Sequence, residues 1–342
     1  MMGAVIRHRD IARDALRFGP HGGAHRVAMR AGVSVFVPLV VLWSMGHLDW
    51  SIYAAFGAFT SLYGRQRTGR ARLQLQLTLA LALTVSVGVG VLVGMSPHRA
   101  WLAVPVAGLV AGVGSWVSDL EEWHPPGPLF MIFAFAAVAS IPAQPGDIVT
   151  GCLVAGSSAL FAVAIGSTGH LWRAVRRPGG QVSAWHPRRS SAAGRHVARN
   201  VVGVVVAGGV ATAIGIGHPY WAMVSAVVPL AARDLLPQTV RGVQRVVGTG
   251  LGLLTAGLLL WLDPGGLALI LVVVVLQVGA ELLVGRNYAL ALVVITPLAL
   301  LMVHLAAPIP TRTLLFDRGV ETVIGVAIGI LIGYLTRDRS RA

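Results

Sequence analysis

Glu281 is the side chain that most needs a chemical reason to be where it is. It follows the apolar run 267–280 and is followed at once by Leu282, Leu283 and Val284. A carboxylate inside such a run persists when it is protonated, paired or facing a wet cavity. Arg286 is near in sequence, and Arg241 or Arg245 can approach from the preceding apolar segment. A carboxyl group that a proton or a guanidinium neutralises suits coupled proton traffic; an ion pair at a helix end is the structural alternative. Arg241 and Arg245 stand four residues apart, on one helical face, followed by the close-packing Gly248, Gly250 and Gly252. There they either hold a carboxylate in bidentate fashion or anchor a span end. His304 closes an apolar run with a side chain suited to proton transfer, or simply packs. Trp50, Tyr53, Phe56 and Phe59 recur at spacing three, a face for stacking an aromatic ligand or an interfacial belt.

Enzymatic chemistry has no comparable footing. The chain contains no lysine, so it has no Walker A motif, and it lacks a Gly-x-Ser-x-Gly elbow. His21 and His25 have the spacing of a helical metal pair, but the glycines between them weaken that helix and no third ligand is near. No catalytic residue, cofactor or metal site is therefore expected. The single cysteine, Cys152, excludes an intrachain disulfide framework.

The elements that must position these residues are membrane helices. Of 342 residues, 55% are hydrophobic and 12% charged, with a mean hydropathy of +0.75; soluble domains carry about 25% charged residues. A soluble enzyme and a disordered chain are excluded. The net charge of +14 comes entirely from 27 arginines against 13 acids. These cluster beside apolar runs, which suits loops meeting anionic lipid and not a nucleic-acid surface.

Segments long enough to cross about 30 Å of hydrocarbon are Val27–Met45, Leu73–Met95, Ala100–Val117, Ile148–Trp172, Val197–Ile216, Val243–Leu262, Leu267–Val284, Tyr288–Ala306 and Leu314–Leu335. Shorter runs at Trp50–Tyr63, Pro128–Ile141 and Trp221–Ala232 raise the count to twelve. Placing both termini inside puts most arginines inside, with Arg312 and Arg318 as exceptions. No cleavable signal peptide is expected, since the first 26 residues lack an apolar core. Residues 10–18 form either a short headgroup helix or a frayed tail.

Laid on itself at an offset of 171, the chain matches His25 with His196, Gly46 with Gly217, His47 with His218, Trp50 with Trp221 and Arg70 with Arg241. Near an offset of 169, Pro128-Leu129 falls on Pro297-Leu298 and Gly156 on Gly325. The expected fold is all-α and polytopic: two parallel six-span repeats, 27–172 and 196–336, between a cytoplasmic segment 1–26, a linker 173–195 and a tail 337–342. Parallel repeats put a pathway between the halves, and short spans at matching positions mark the site. The motif Gly-His-x-x-Trp opens both, making His47, Trp50, His218 and Trp221 candidates. Asp317, Arg318 and Glu321 lie just ahead of the apolar stretch of the last span.

Four stretches of the second half, His218-Pro-Tyr-Trp-Ala-Met, Arg241-Gly-Val-Gln-Arg245-Val-Val-Gly-Thr, Arg286-Asn287-Tyr-Ala-Leu-Ala and Thr296-Pro-Leu-Ala-Leu-Leu, resemble in this order the fusaric acid resistance and aromatic acid exporter (FUSC) family of bacterial inner-membrane proteins. The resemblance runs from about Arg195 to Leu335. It implies proton-driven efflux of small aromatic carboxylic acids or related organic anions, with Arg286 and Asn287 joining the site candidates. The expected partners are the lipid bilayer and small organic anions, with room for a homo-oligomer and none for nucleic acid. A membrane scaffold or assembly subunit of an envelope complex is the alternative, and the permease half of an ATP-driven system a third.

Overall fold

The computed structural model describes residues 8–20, 23–176, 193–232, 234–306 and 309–337. Most of the expected linker, His21, Arg233 and the tail beyond Arg337 lie outside them. Among the described residues the chain is all-helical, without a strand. The helices are α1 (His8–Ala15), α2 (Ala24–Ser44), α3 (Ser51–Ala58), α4 (Gly69–Gly94), α5 (Arg99–Glu121), α6 (Leu129–Ala139), α7 (Pro145–Arg176), α8 (Ala193–Ala213), α9 (Tyr220–Leu230), α10 (Leu235–Leu262), α11 (Gly266–Leu283), α12 (Tyr288–Ala306) and α13 (Thr311–Leu335).

Eight of these, α2, α4, α5, α7, α8, α10, α11 and α12, are long and apolar enough to cross a membrane. Their outer faces carry exposed Leu81, Leu109, Leu153 and Leu254, with Trp43, Trp101, Trp116 and Trp261 toward the helix ends. Lipid is the solvent that tolerates such a surface, and tryptophan favours its interfaces. Helix α13 has the length to cross but carries buried Asp317, Arg318 and Glu321.

The twelve crossings expected from sequence are not all delivered, because α3, α6 and α9 have only 8, 11 and 11 residues. At 1.5 Å per residue they extend about 12–17 Å, roughly half the hydrocarbon thickness. Their ends consequently fall inside protein, and both α3 and α9 are buried along their whole length. Gly46 and Gly64, in the left-handed region at φ 77° and 79°, turn the chain on either side of α3. Gly215, at φ 76°, turns it before α9.

Irregular backbone at membrane depth must find its hydrogen bonds in protein, and one arrangement supplies them twice. Gln76 of α4 donates Nε2–H to the Tyr63 carbonyl beyond α3, at 3.3 Å, and Gln238 of α10 donates to the Ala232 carbonyl beyond α9, at 2.9 Å. The other end of each amide lies against a glycine, Gly166 of α7 or Gly333 of α13, where a Cβ would collide with it. The two glutamines are 162 positions apart, not 171, because the connection from α3 to α4 is longer than that from α9 to α10. In this register Arg70 and Arg241 do not occupy equivalent places.

Packing follows the same correspondence. Contacts of α4 with α6 and α7, and of α3 with α7, recur as α10 with α12 and α13, and α9 with α13. Between the halves, α2 packs on α11 and α5 on α8, while α3 meets α12 and α6 meets α9. The central seam is aromatic: by ring centroids Phe133 of α6 lies 5.1 Å from Trp221 of α9 and 5.0 Å from Phe56 of α3.

Helix α1 is strapped to the second half. Gln244 and Asn287 each donate to the Ala15 carbonyl at 3.0 Å, and Asn287 also reaches the Arg17 carbonyl at 3.2 Å. The Gly19 N–H donates to the Arg286 carbonyl at 2.8 Å.

Candidate functional site

The densest buried chemistry lies in the second half, where α9, α10, α12 and α13 meet. Asp317 and Glu321 are four residues apart on α13 and share a face, with Arg318 beside them. All three are buried, at 5%, 0% and 1% exposure. The turn into α9 supplies their partner: His218 places Nδ1 2.7 Å from Asp317 Oδ2, and its backbone N–H donates to Glu321 Oε1 at 3.1 Å. Gly217 is needed in this turn, since a Cβ there would sit 2.9 Å from Asp317 Oδ2.

Arg318 lies over the Trp221 ring, its Cζ 3.9 Å from the centroid, a contact worth about 2 kcal/mol when desolvated. Its Nε and Nη1 have no hydrogen-bond partner. Arg245, 4% exposed, lies ten residues into α10, about 15 Å from its start. It donates Nε–H and Nη2–H to Ser225 Oγ, both at 3.3 Å, and Nη1–H to the Tyr288 hydroxyl at 2.9 Å. Arg245 and Arg318 are close enough for electrostatic interaction, which Tyr288 and Glu321 also share. Histidine, two carboxyl groups, two guanidiniums, serine and tyrosine thus form one polar column within helices otherwise bounded by lipid. Neither guanidinium is ion-paired among the described residues.

Of the residues expected from sequence, His218, Trp221 and Arg245 enter this column and the others go elsewhere. Glu281 pairs not with Arg286, Arg241 or Arg245 but with Arg65, from the connection between α3 and α4, at 3.0 Å. The bond joins the two halves beside Arg30 of α2, which donates Nη2–H to the Ser61 carbonyl. Arg241 faces outward and lies over the Tyr288 ring at 5.1 Å. Arg286 covers Phe18 at 4.2 Å, and Asn287 holds Ala15 and Arg17, so both serve the α1 strap. His304 is half-buried with Nδ1 unpartnered, and is not in contact with the column by any of these bonds.

His47 and Trp50 stack on each other at 3.9 Å with a 3° interplanar angle, and the His47 side chain is 45% exposed near Asp49. The first half therefore does not repeat the second half's site. Where the glutamine–glycine contact sets the register, Arg245 corresponds to Leu83, and Asp317, Arg318 and Glu321 correspond to Thr150, Gly151 and Val154. From sequence, Asp317, Arg318 and Glu321 stand ahead of the last span, with Glu321 reaching the packing glycines Gly325 and Gly329, and are not expected as site residues. Their signal was the spacing i, i+1, i+4 within a segment already long enough to span. Ser225 and Tyr288 carried no signal of their own.

Apolar outer faces, aromatic helix ends and a charged column enclosed by long helices define a multi-pass integral membrane protein. Within that class, residues 201–332 match the family described as fusaric acid resistance protein-like. Every residue of the column falls inside that stretch. The uncharacterized membrane protein YvaC of Bacillus subtilis (strain 168) is 30% identical over 122 residues, covering 35% of this chain and 19% of the relative. The chain thus matches about a fifth of that relative's length. No solved structure matches.

Proposed function

We propose that the protein is a secondary transporter of a bacterial inner membrane that exports small aromatic carboxylic acids or related organic anions, driven by the proton gradient. The observation that carries this reading is the pair of buried guanidiniums, Arg245 and Arg318, on membrane helices without a carboxylate bound to either. Arginine inside a bilayer is costly and is retained where ions or substrates pass. Supporting it are the match of α8–α13 to the fusaric acid resistance-like family and the recurrence of contacts in two sets of six helices. In this reading the two sets are like-oriented repeats with both chain termini in the cytoplasm. The column conducts the anion, and the Arg65–Glu281 bond fastens the cytoplasmic ends of the halves.

Transport is tested with full-length protein in sealed vesicles carrying labelled benzoate under an imposed pH gradient. Gradient-dependent benzoate movement is expected, with loss of most of it in Arg245→Gln. Absence of movement at every gradient, with an envelope protein co-purifying stoichiometrically, would replace the transporter by a scaffold.

A further inference from the structure

Helix α1 has two unlike sides. It packs on α10, and Ile11 and Ala15, four residues apart, are its half-buried positions. Its other side carries Ala12, Arg13, Leu16 and Arg17, all exposed. The Leu16 N–H donates to the Ala12 carbonyl at 3.1 Å and the Arg17 N–H to the Asp14 carbonyl at 3.3 Å. The turn therefore continues past Ala15, and Arg13 and Arg17 stand on one side of it. Through Gln244 and Asn287 the strap is held against the first turns of α10 and the start of α12. A segment lying across the ends of membrane helices sits at the depth of lipid headgroups.

Between α1 and α10 opens a recess of about 500 Å³, lined by Arg13, Asp14, Arg17 and Leu236. Two guanidiniums face one carboxylate there, so the recess keeps an excess of positive charge. Among the described residues neither guanidinium is ion-paired. Arg241 and Arg286, at the same end of the bundle, are by contrast spent on the Tyr288 and Phe18 rings.

A phosphodiester suits the free pair, because guanidinium groups hold phosphate with charge-assisted hydrogen bonds. Its source follows from the apolar neighbours. Leu16 and Phe18, on either side of Arg17, are 82% and 48% exposed. Acyl chains below a headgroup cover such side chains, whereas a soluble phosphate ester leaves them in water.

We infer that Arg13 and Arg17 clasp the phosphate of one anionic phospholipid, such as phosphatidylglycerol, whose acyl chains cover Leu16 and Phe18. Gln244 and Asn287 hold α1 from the protein side, and the lipid holds it from the membrane side. The site lies on the surface of the bundle, apart from the column, and does not rest on the transport reading.

The test is lipid titration of full-length protein in detergent micelles, with an environment-sensitive fluorophore on Ala12→Cys in a Cys152→Ser background. Phosphatidylglycerol should change the emission saturably, at one lipid per chain. Phosphatidylcholine with the same acyl chains should need at least about tenfold more, the scale of two cations meeting an anionic headgroup. Glycerol 3-phosphate, the soluble source of the same chemistry, should leave the emission unchanged. Arg13→Gln with Arg17→Gln should abolish the preference for phosphatidylglycerol. Arg70→Gln with Arg312→Gln, which removes the same charge elsewhere, should keep it. If the first pair fails to fold, Arg17→Gln alone should reduce the preference several-fold. An equal response to the two lipids, saturation by glycerol 3-phosphate, or a preference that survives loss of Arg13 and Arg17 would each overturn the site. The readout involves no transport, so its failure leaves the export reading standing, and failure of benzoate transport leaves the lipid site standing.

Discussion

Glu281 shows how a charge inside an apolar run is made tolerable. Its side chain is 7% exposed, against 29% for Arg65, so the bond has one end in protein and one nearer water. Burial of this kind costs solvation that the partner must offset, and removing either partner leaves the other stranded. Arg65 and Glu281 should therefore couple: Glu281→Gln and Arg65→Gln each lower stability, and the double variant loses less than the two together by about 0.5–3 kcal/mol. A double-mutant cycle of unfolding in mixed micelles measures this, and strict additivity would show that the bond fastens nothing. Benzoate affinity should be the same in Glu281→Gln as in the native chain. The column is different in kind, since Arg245 and Arg318 meet hydroxyls and an indole face and have no carboxylate bound.

At the scale of elements, the short helices depend on glycine. Helix α3 approaches α7 so closely at Gly57 that a Cβ would collide with the Ala155 carbonyl oxygen and lie 2.9 Å from Ser158 Cβ. Small residues let membrane helices meet backbone to backbone, where packing replaces the hydrophobic drive that lipid removes. Gly57→Ala should cost about 1–3 kcal/mol, as overpacking does. Gly250→Ala on α10, where nothing lies within 4 Å, should be neutral or stabilise by up to about 1 kcal/mol. Thermal unfolding of the two variants in the same detergent separates them, and equal melting would deny the close α3–α7 contact. The shortness of α3 and α9 was legible in sequence from their brief apolar runs. The glutamines that satisfy their ends were not, because Gln76 and Gln238 match only after a seven- to nine-residue change of register in the preceding connection.

Across the whole molecule the halves are held by two equivalent seams. Gly32 of α2 faces Val278 of α11, and Gly108 of α5 faces Val205 of α8; a Cβ on each glycine would lie 2.7 and 2.6 Å from the valine Cγ2. In a background of Cys152→Ser, paired cysteines at 32 and 278, and separately at 108 and 205, should both cross-link on oxidation, since their Cβ atoms fall within disulfide reach. A pair at 250 and 278 should not. Cross-linking of one seam without the other would break the two-fold arrangement. Chemistry does not follow this symmetry: packing is doubled, whereas among the described residues the charged column occurs in the second half alone.

Lipid as the solvent, the places of the long helices and the likeness of the second half to a known family were legible in the amino-acid sequence, because these rest on local composition and period. Tertiary structure alone decided which ionisable groups meet. Arg65 and Glu281 are 216 residues apart, and His218 and Asp317 are 99 apart. Helical periodicity tells which face a residue occupies but not which helix that face will touch. Between helices in lipid that choice is made by close packing at glycines and by the need to satisfy broken backbone, both properties of the assembled bundle.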